Sequence, residues 1–390
     1  MQNRSIGLEK NWRDIEGKFK KEKGPKELEF NYLDYSKKTD NNQQQKKTNV
    51  ELKKIESPKN RKFGLLKCPY ALREEIIRNM EFMDAFNFST LSKRSKRLVH
   101  DAKLRINSIS FRFGFLEKDK IGVVTKNGDF VIQLPGPNDI GTKILPNLFD
   151  GRKLANLINE PSDDYRKRLI AHLLFIFHFK RTKLLVEGGF AEPLTEFFLW
   201  DVRKTFDFVS FGRFSSILIS SEDLKFLLET IKSNGCYLGI KIDEANFKYR
   251  KALEYETFSA FNGVKWLDTD GILQRNPKMK TLHLEGLEGE QINDLLKQWI
   301  NGQVTDLEYL RLLKRYDSRD PADVILDGIV TLDPTITHEQ AKGVYSRQEI
   351  KGQLMNIQRK IDGQLATVLL DEKECYVIMW NEKRLAELGN

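Results

Sequence analysis

From about residue 180 the chain alternates short apolar segments of strand character with amphipathic segments of helical period, and this rhythm constrains the fold more than any other feature. The strand-like segments begin at Thr182 (TKLLVEG), Ser215 (SSILIS), Tyr237 (YLGIKID), Val264 (VKWLD), Met279 (MKTLHLEG) and Leu307 (LEYLRLLK), so their starts lie 33, 22, 27, 15 and 28 residues apart. Helical patterns fall between several of them, notably SEDLKFLLETIK (Ser221–Lys232), with Ser221 as the expected N-cap, and GEQINDLLKQWI (Gly289–Ile300). The expectation is mixed α/β: repeated strand–helix units forming a curved sheet with helices outside. A conventional two-layer α/β domain is the alternative.

Upstream, RINSISFRF (Arg105–Phe113) alternates apolar and polar residues as a half-buried strand does. IGVVTKNGDFVIQL (Ile121–Leu134) reads as a hairpin with Asn127-Gly128 at a tight turn. Helices are expected at 151–159 and 163–179, the latter with a stripe at Leu169, Leu173, Ile176 and Phe177. Before these lies FGLLKCPYALREEIIRNMEFMDAFNFSTLSKRSKRLV (Phe63–Val99), dense in apolar residues. Pro69 suits a helix start, and Leu72, Ile76 and Met80 form one stripe with Ile77 beside it. A second helix is expected over Met83–Leu91 and a third from Ser95, carrying Leu98, Val99 and Ala102. Three helices this short cannot bury every apolar group they carry. The surplus packs on the rest of the chain or forms a docking surface.

Two resemblances bear on that choice. LLKCP (Leu65–Pro69), ALREEIIRNM (Ala71–Met80) and LSKRSKRLV (Leu91–Val99) stand in the order of an F-box, and the segment resembles those of the large nematode F-box families. It departs from the family at Glu81-Phe82, where Asp-Pro is common, and at Ala85, where a larger aliphatic residue is common; the smaller side chain is expected to reduce contact with the adaptor. INDLLKQWINGQVTDLEYLRL (Ile292–Leu312) is similar to the F-box-associated domain of the second type, with Trp299, Gly302, Leu307 and Leu310 at the matching places. NIQRKIDGQLATVLL followed by YVIMW (Asn356–Trp380) resembles the closing hairpin of such chains. The likeness covers about residues 63–112 and 180–380. The array itself resembles an irregular leucine-rich one, whose repeats run roughly 20–29 residues, although no asparagine ladder is visible.

The charge favours no other class. The net charge is +9, but residues 1–62 hold 17 Lys/Arg against 10 Asp/Glu, and the remainder holds 48 against 46. The basicity therefore belongs to a Lys-, Asn- and Gln-rich tail expected to be disordered, and the near-neutral remainder argues against a nucleic-acid role, which calls for a basic folded face. No run of about 18 apolar residues offers a membrane span. The N-terminus lacks the apolar core of a secretory signal. Cys68, Cys236 and Cys375 are scattered and odd in number, which points to a reducing compartment, cytoplasmic and/or nuclear.

No catalytic or metal motif is present. His100, His172, His178, His283 and His338 form no close pair of metal-ligand spacing, and there is no CxxC or GxSxG. GPNDIGTK (Gly136–Lys143) has the glycines of a phosphate loop but ends Gly-Thr-Lys, which misplaces lysine and hydroxyl. Acidic groups such as Asp163-Asp164 and Asp268/Asp270 suit turns and caps, and Trp200, Trp266, Trp299 and Trp380 suit core anchors.

The resemblance implies a non-catalytic substrate receptor of a Skp–cullin–F-box ubiquitin ligase, with no cofactor. Its expected partners are a Skp-family adaptor, through it a cullin, and a protein substrate. Adaptor contact is expected from Leu66, Pro69, Leu72, Ile76, Ile77, Met80, Phe86 and Leu91, some of which must instead hold the helices together. The substrate surface is expected on the strand–helix domain, with EYETFSAFNG (Glu254–Gly263) as a candidate exposed loop. The expected divisions are 1–62 tail, 63–108 F-box, 109–179 connecting hairpin and helices, and 180–390 associated domain. The rival readings are an interaction scaffold whose small helices merely cap the repeats, and a nucleic-acid-associated factor working through its basic tail.

Overall fold

The computed structural model describes residues 65–114, 119–134, 162–188, 193–212, 216–303, 305–315, 322–344, 351–381 and 384. The basic tail, the loop at 136–143 and the helix expected at 151–159 lie outside these residues. The chain divides into two compact units, Met1–Tyr70 and Ala71–Asn390. Of the first, the described part is a 3₁₀ turn, Leu65–Lys67, closed by the Cys68 N–H donating to the Leu65 carbonyl at 3.1 Å.

The second unit opens with three helices, α1 (Tyr70–Arg78), α2 (Phe82–Thr90) and α3 (Lys93–Asp101). They lead into β1 (Arg105–Phe113) and the hairpin β2 (Lys120–Val124) and β3 (Asp129–Gln133). The Thr125 N–H donates to the Gly128 carbonyl at 3.0 Å, so the turn centres on Lys126-Asn127, one residue earlier than the Asn-Gly pair suggests. Next come α4 (Ser162–Ile176), β4 (His178–Val186), β5 (Thr205–Phe211), β6 (Ile217–Ile219), α5 (Ser221–Thr230), β7 (Lys232–Leu238), β8 (Ile240–Ile242) and β9 (Thr257–Ala260). The remaining elements are α6 (Ile272–Arg275), β10 (Thr281–Leu287), α7 (Gly289–Asn301), β11 (Tyr309–Lys314), α8 (Ala322–Leu326), α9 (His338–Val344), β12 (Gln353–Gln358), β13 (Leu365–Leu370) and β14 (Glu374–Met379).

Twelve of these strands form one sheet in the order β12-β13-β14-β11-β10-β9-β7-β5-β4-β1-β2-β3. From β1 to β11 every neighbour is parallel, and the strands lie side by side in chain order. An antiparallel hairpin closes one edge, and β12, β13 and β14 close the other. From β4 the parallel strands begin at 178, 205, 232, 257, 281 and 309, so the true intervals are 27, 27, 25, 24 and 28 residues. The sequence rhythm is less even because several of its segments do not coincide with main-sheet strands, YLGIKID among them, which begins at the end of β7 and contains β8. SSILIS contains β6, which pairs with β8 in a separate two-stranded sheet, whereas the main-sheet strand is TFDFVSF (β5). VKWLD forms no strand, and EYETFSAFNG is no exposed loop: it contains β9, with Phe258 and Ala260 fully buried. Its flanking Gly and Asn disguised a four-residue central strand. The sheet also crosses the boundaries expected at 108/109 and 179/180, because β1 pairs with β4 across the intervening helix.

One apolar row crosses all twelve strands, from Ile132 on β3 through Phe111, Val209, Phe258 and Leu310 to Met355 on β12. Period-two alternation puts the next row on the other face, and its members Ser210, Tyr237, Ser259, His283, Arg311 and Tyr376 are also buried. The strand ends are stacked closely by glycine pairs. A Cβ on Gly239 would stand 2.0 Å from the Gly212 carbonyl oxygen, and one on Gly188 would stand 2.8 Å from that of Gly114. Close packing of successive turns thus depends on residues without side chains. Trp200, Trp266, Trp299 and Trp380 are buried, and the expected α4 stripe faces the core.

Candidate functional site: the three-helix unit

The small helices are assembled by local chemistry. Ser92 caps α3: its hydroxyl accepts from the Ser95 N–H at 3.0 Å, while Ser95 Oγ accepts from the Ser92 N–H at 2.8 Å. This reciprocal cap starts the third helix at Lys93 rather than Ser95. On α1, the Arg78 Nε–H donates to the Ala102 carbonyl at 3.2 Å, tying that helix to the end of α3, and Arg78 also pairs with Glu74. Glu81 precedes α2 without making a side-chain cap.

One side of the unit is sealed by the chain itself. Ile77 is 0% and Phe86 1% exposed, and both belong to the main core. Phe82, the residue at the place where proline is common, packs against Phe86, Phe130 and Phe177 with ring centroids 6.5, 5.2 and 4.8 Å away. Ala85 is fully buried, so its small side chain gives up no outward contact; this corrects the expectation of a weakened adaptor surface. Phe86 meets the His172 ring edge-on at 5.7 Å. The Ser89 hydroxyl donates to the Phe86 carbonyl at 2.5 Å, which leaves Ser89 Oγ to accept from His172 Nε2 at 2.7 Å. Burial, with a smaller contribution from Lys96, lowers the His172 pKa to about 4 and keeps the ring neutral. The His100 ring stacks on Phe175 at 4.4 Å.

The other side is open. Leu72 is 48% and Leu91 59% exposed. Ile76, one turn after Leu72, is half-buried, and Met80 is half-buried against the core. Leu91 stands at the corner between α2 and α3. Pro69 is exposed. The Leu66 side chain lies outside the described residues. The expected site residues therefore separate by role: Ile77 and Phe86 face the protein's own core, and the outward apolar positions are Leu72 and Leu91 with Ile76. Periodicity does not make this division, because Ile76 and Ile77 are chemically identical neighbours and only packing into the core distinguishes them.

These observations describe a helical unit docked by one face and open on the other. Residues 65–107 match the F-box domain. No curated protein and no solved structure matches the chain. F-box domains bind Skp-type adaptors, and F-box proteins are generally non-catalytic subunits that bring substrates to ubiquitin ligases. The F-box here runs from the 3₁₀ turn at Leu65 through α1, α2 and α3 to the first residues of β1. Among the described residues no group of histidine, cysteine and carboxylate side chains is placed to hold a metal, and no helix is long and apolar enough to cross a membrane. Of the histidines, His283 is fully buried, and burial pushes its pKa well below the ordinary value.

Proposed function

We propose that this chain is the substrate-recognition subunit of a Skp–cullin–F-box ubiquitin ligase. The observation that carries the reading is the F-box match over residues 65–107 together with the solvent-facing Leu72 and Leu91 on a unit whose other face is already packed. Leu72, Ile76 and Leu91 insert into the adaptor, and Leu66 and Pro69 are further contacts. The adaptor brings the cullin, and the parallel-strand body holds the substrate. Catalysis then needs no residue of this chain, since holding a substrate beside a charged conjugating enzyme raises its effective concentration.

The finer assignment is to the nematode type, with an F-box-associated domain of the second type. Supporting it, the two segments that carry the resemblance meet: the Arg359 guanidinium lies over the Trp299 ring at 5.5 Å and pairs with Asp362 at 2.6 Å. Behind them Trp380 Nε1–H donates to Thr367 Oγ1 at 2.7 Å, and the Thr367 hydroxyl donates to Asn356 Oδ1 at 2.6 Å. Affinity purification of the full chain followed by mass spectrometry tests the proposal. Adaptor and cullin subunits are the expected partners. Recovery of the chain without either would overturn the ligase reading and leave a scaffold whose helices cap the sheet.

A further inference from the structure

A cleft of about 710 Å³ opens where the parallel strands end, lined by the C-terminal ends of β8, β10 and β11, by the residues that follow β8, β9 and β11, and by the β13–β14 turn. Phe247 and Trp266 give the cleft an aromatic wall. Trp266 is 3% exposed.

The charges around it are unequal in kind. Lys241 on β8, Lys265 in the loop after β9 and Lys373 in the β13–β14 turn line the cleft, are exposed, and make no ion pair among the described residues. Of the four carboxylates there, Glu374 is held by Arg311 at 3.2 Å. Glu285 is half-buried, and burial raises its pKa. Glu244 and Glu372 remain as exposed rim charges. The free cationic groups thus face carboxylates that are paired, half-buried or peripheral.

We propose that this cleft is the substrate-binding site and that its occupant is an acidic, extended segment of a partner protein. Its carboxylates meet Lys241, Lys265 and Lys373, and an apolar side chain lies against the aromatic wall. The choice of occupant rests on the receptor reading, whereas the site rests on the cleft alone.

Selection of random phage-displayed peptides on the full-length protein tests this directly. Selected peptides are expected to be enriched in Asp and Glu around an apolar residue. Lys241→Glu with Lys265→Glu and Lys373→Glu is expected to abolish that enrichment and to weaken a selected fluorescent peptide at least about tenfold. Lys126→Glu with Lys180→Glu and Lys278→Glu, which changes the net charge equally elsewhere, is expected to leave it intact. The proposal is overturned if no acidic peptide is enriched, if both triple variants behave alike, or if single-stranded DNA binds the cleft while peptide does not. Adaptor co-purification, measured in parallel, separates the two readings: its loss with peptide binding retained removes the ligase role but not the cleft.

Discussion

Leu72 and Ile77 lie on the same short helix but are expected to respond to truncation in opposite ways. Full burial of a leucine is worth about 1.5–3 kcal/mol. Leu72 and Leu91 retain 48% and 59% of their exposure, so covering both with an adaptor adds about 1.6–3.2 kcal/mol. The Leu72→Ala, Leu91→Ala double variant should therefore bind the adaptor between about tenfold and about 200-fold more weakly. Its unfolding free energy should shift by no more than about 0.5 kcal/mol, as for other exposed positions. Ile77 is already at 0% exposure and has nothing left to give a partner. Ile77→Ala should cost about 2–5 kcal/mol of stability through the lost transfer energy and the cavity left behind. Adaptor affinity by calorimetry and urea unfolding of the same three proteins are the paired assays. Unchanged affinity in the double variant, or weakened binding by Ile77→Ala with stability intact, would refute the division of the F-box into an inner and an outer face.

Three further outcomes follow from the packing. Phe82→Ala should cost about 3–5 kcal/mol in denaturant unfolding, because it empties the space among Phe86, Phe130 and Phe177. His172 has its pKa lowered to about 4 by burial, so its neutral form supports the fold above the unfolded value of about 6.5. That support should be lost as pH falls from about 6.5 towards 4, and His172→Gln should flatten this part of the stability profile. Gly239→Ala would place a methyl group 2.0 Å from the Gly212 carbonyl oxygen; thermal unfolding should show a loss of at least about 1–3 kcal/mol.

The order of elements was legible in the sequence, because hydrophobic period is a local property. The stripes of the F-box helices, the α4 stripe and the strands TKLLVEG and MKTLHLEG are all readable from neighbours three to four or two residues apart. Even so, the sequence does not reveal β9, since four residues between turn formers carry too little pattern, and only the pairing with β7 and β10 makes it a strand.

What the sequence alone determined is which segments carry apolar faces, and that the small helices carry more such surface than they can bury among themselves. Only the tertiary structure decided where each face points. It turned Ile77, Phe82 and Phe86 inward into the main core while leaving Leu72 and Leu91 to solvent. It also brought Lys241, Lys265 and Lys373 around one cleft from positions far apart in the chain. The physical reason is that burial and charge proximity belong to contacts between distant segments, and the separation of residues along the chain does not encode those distances.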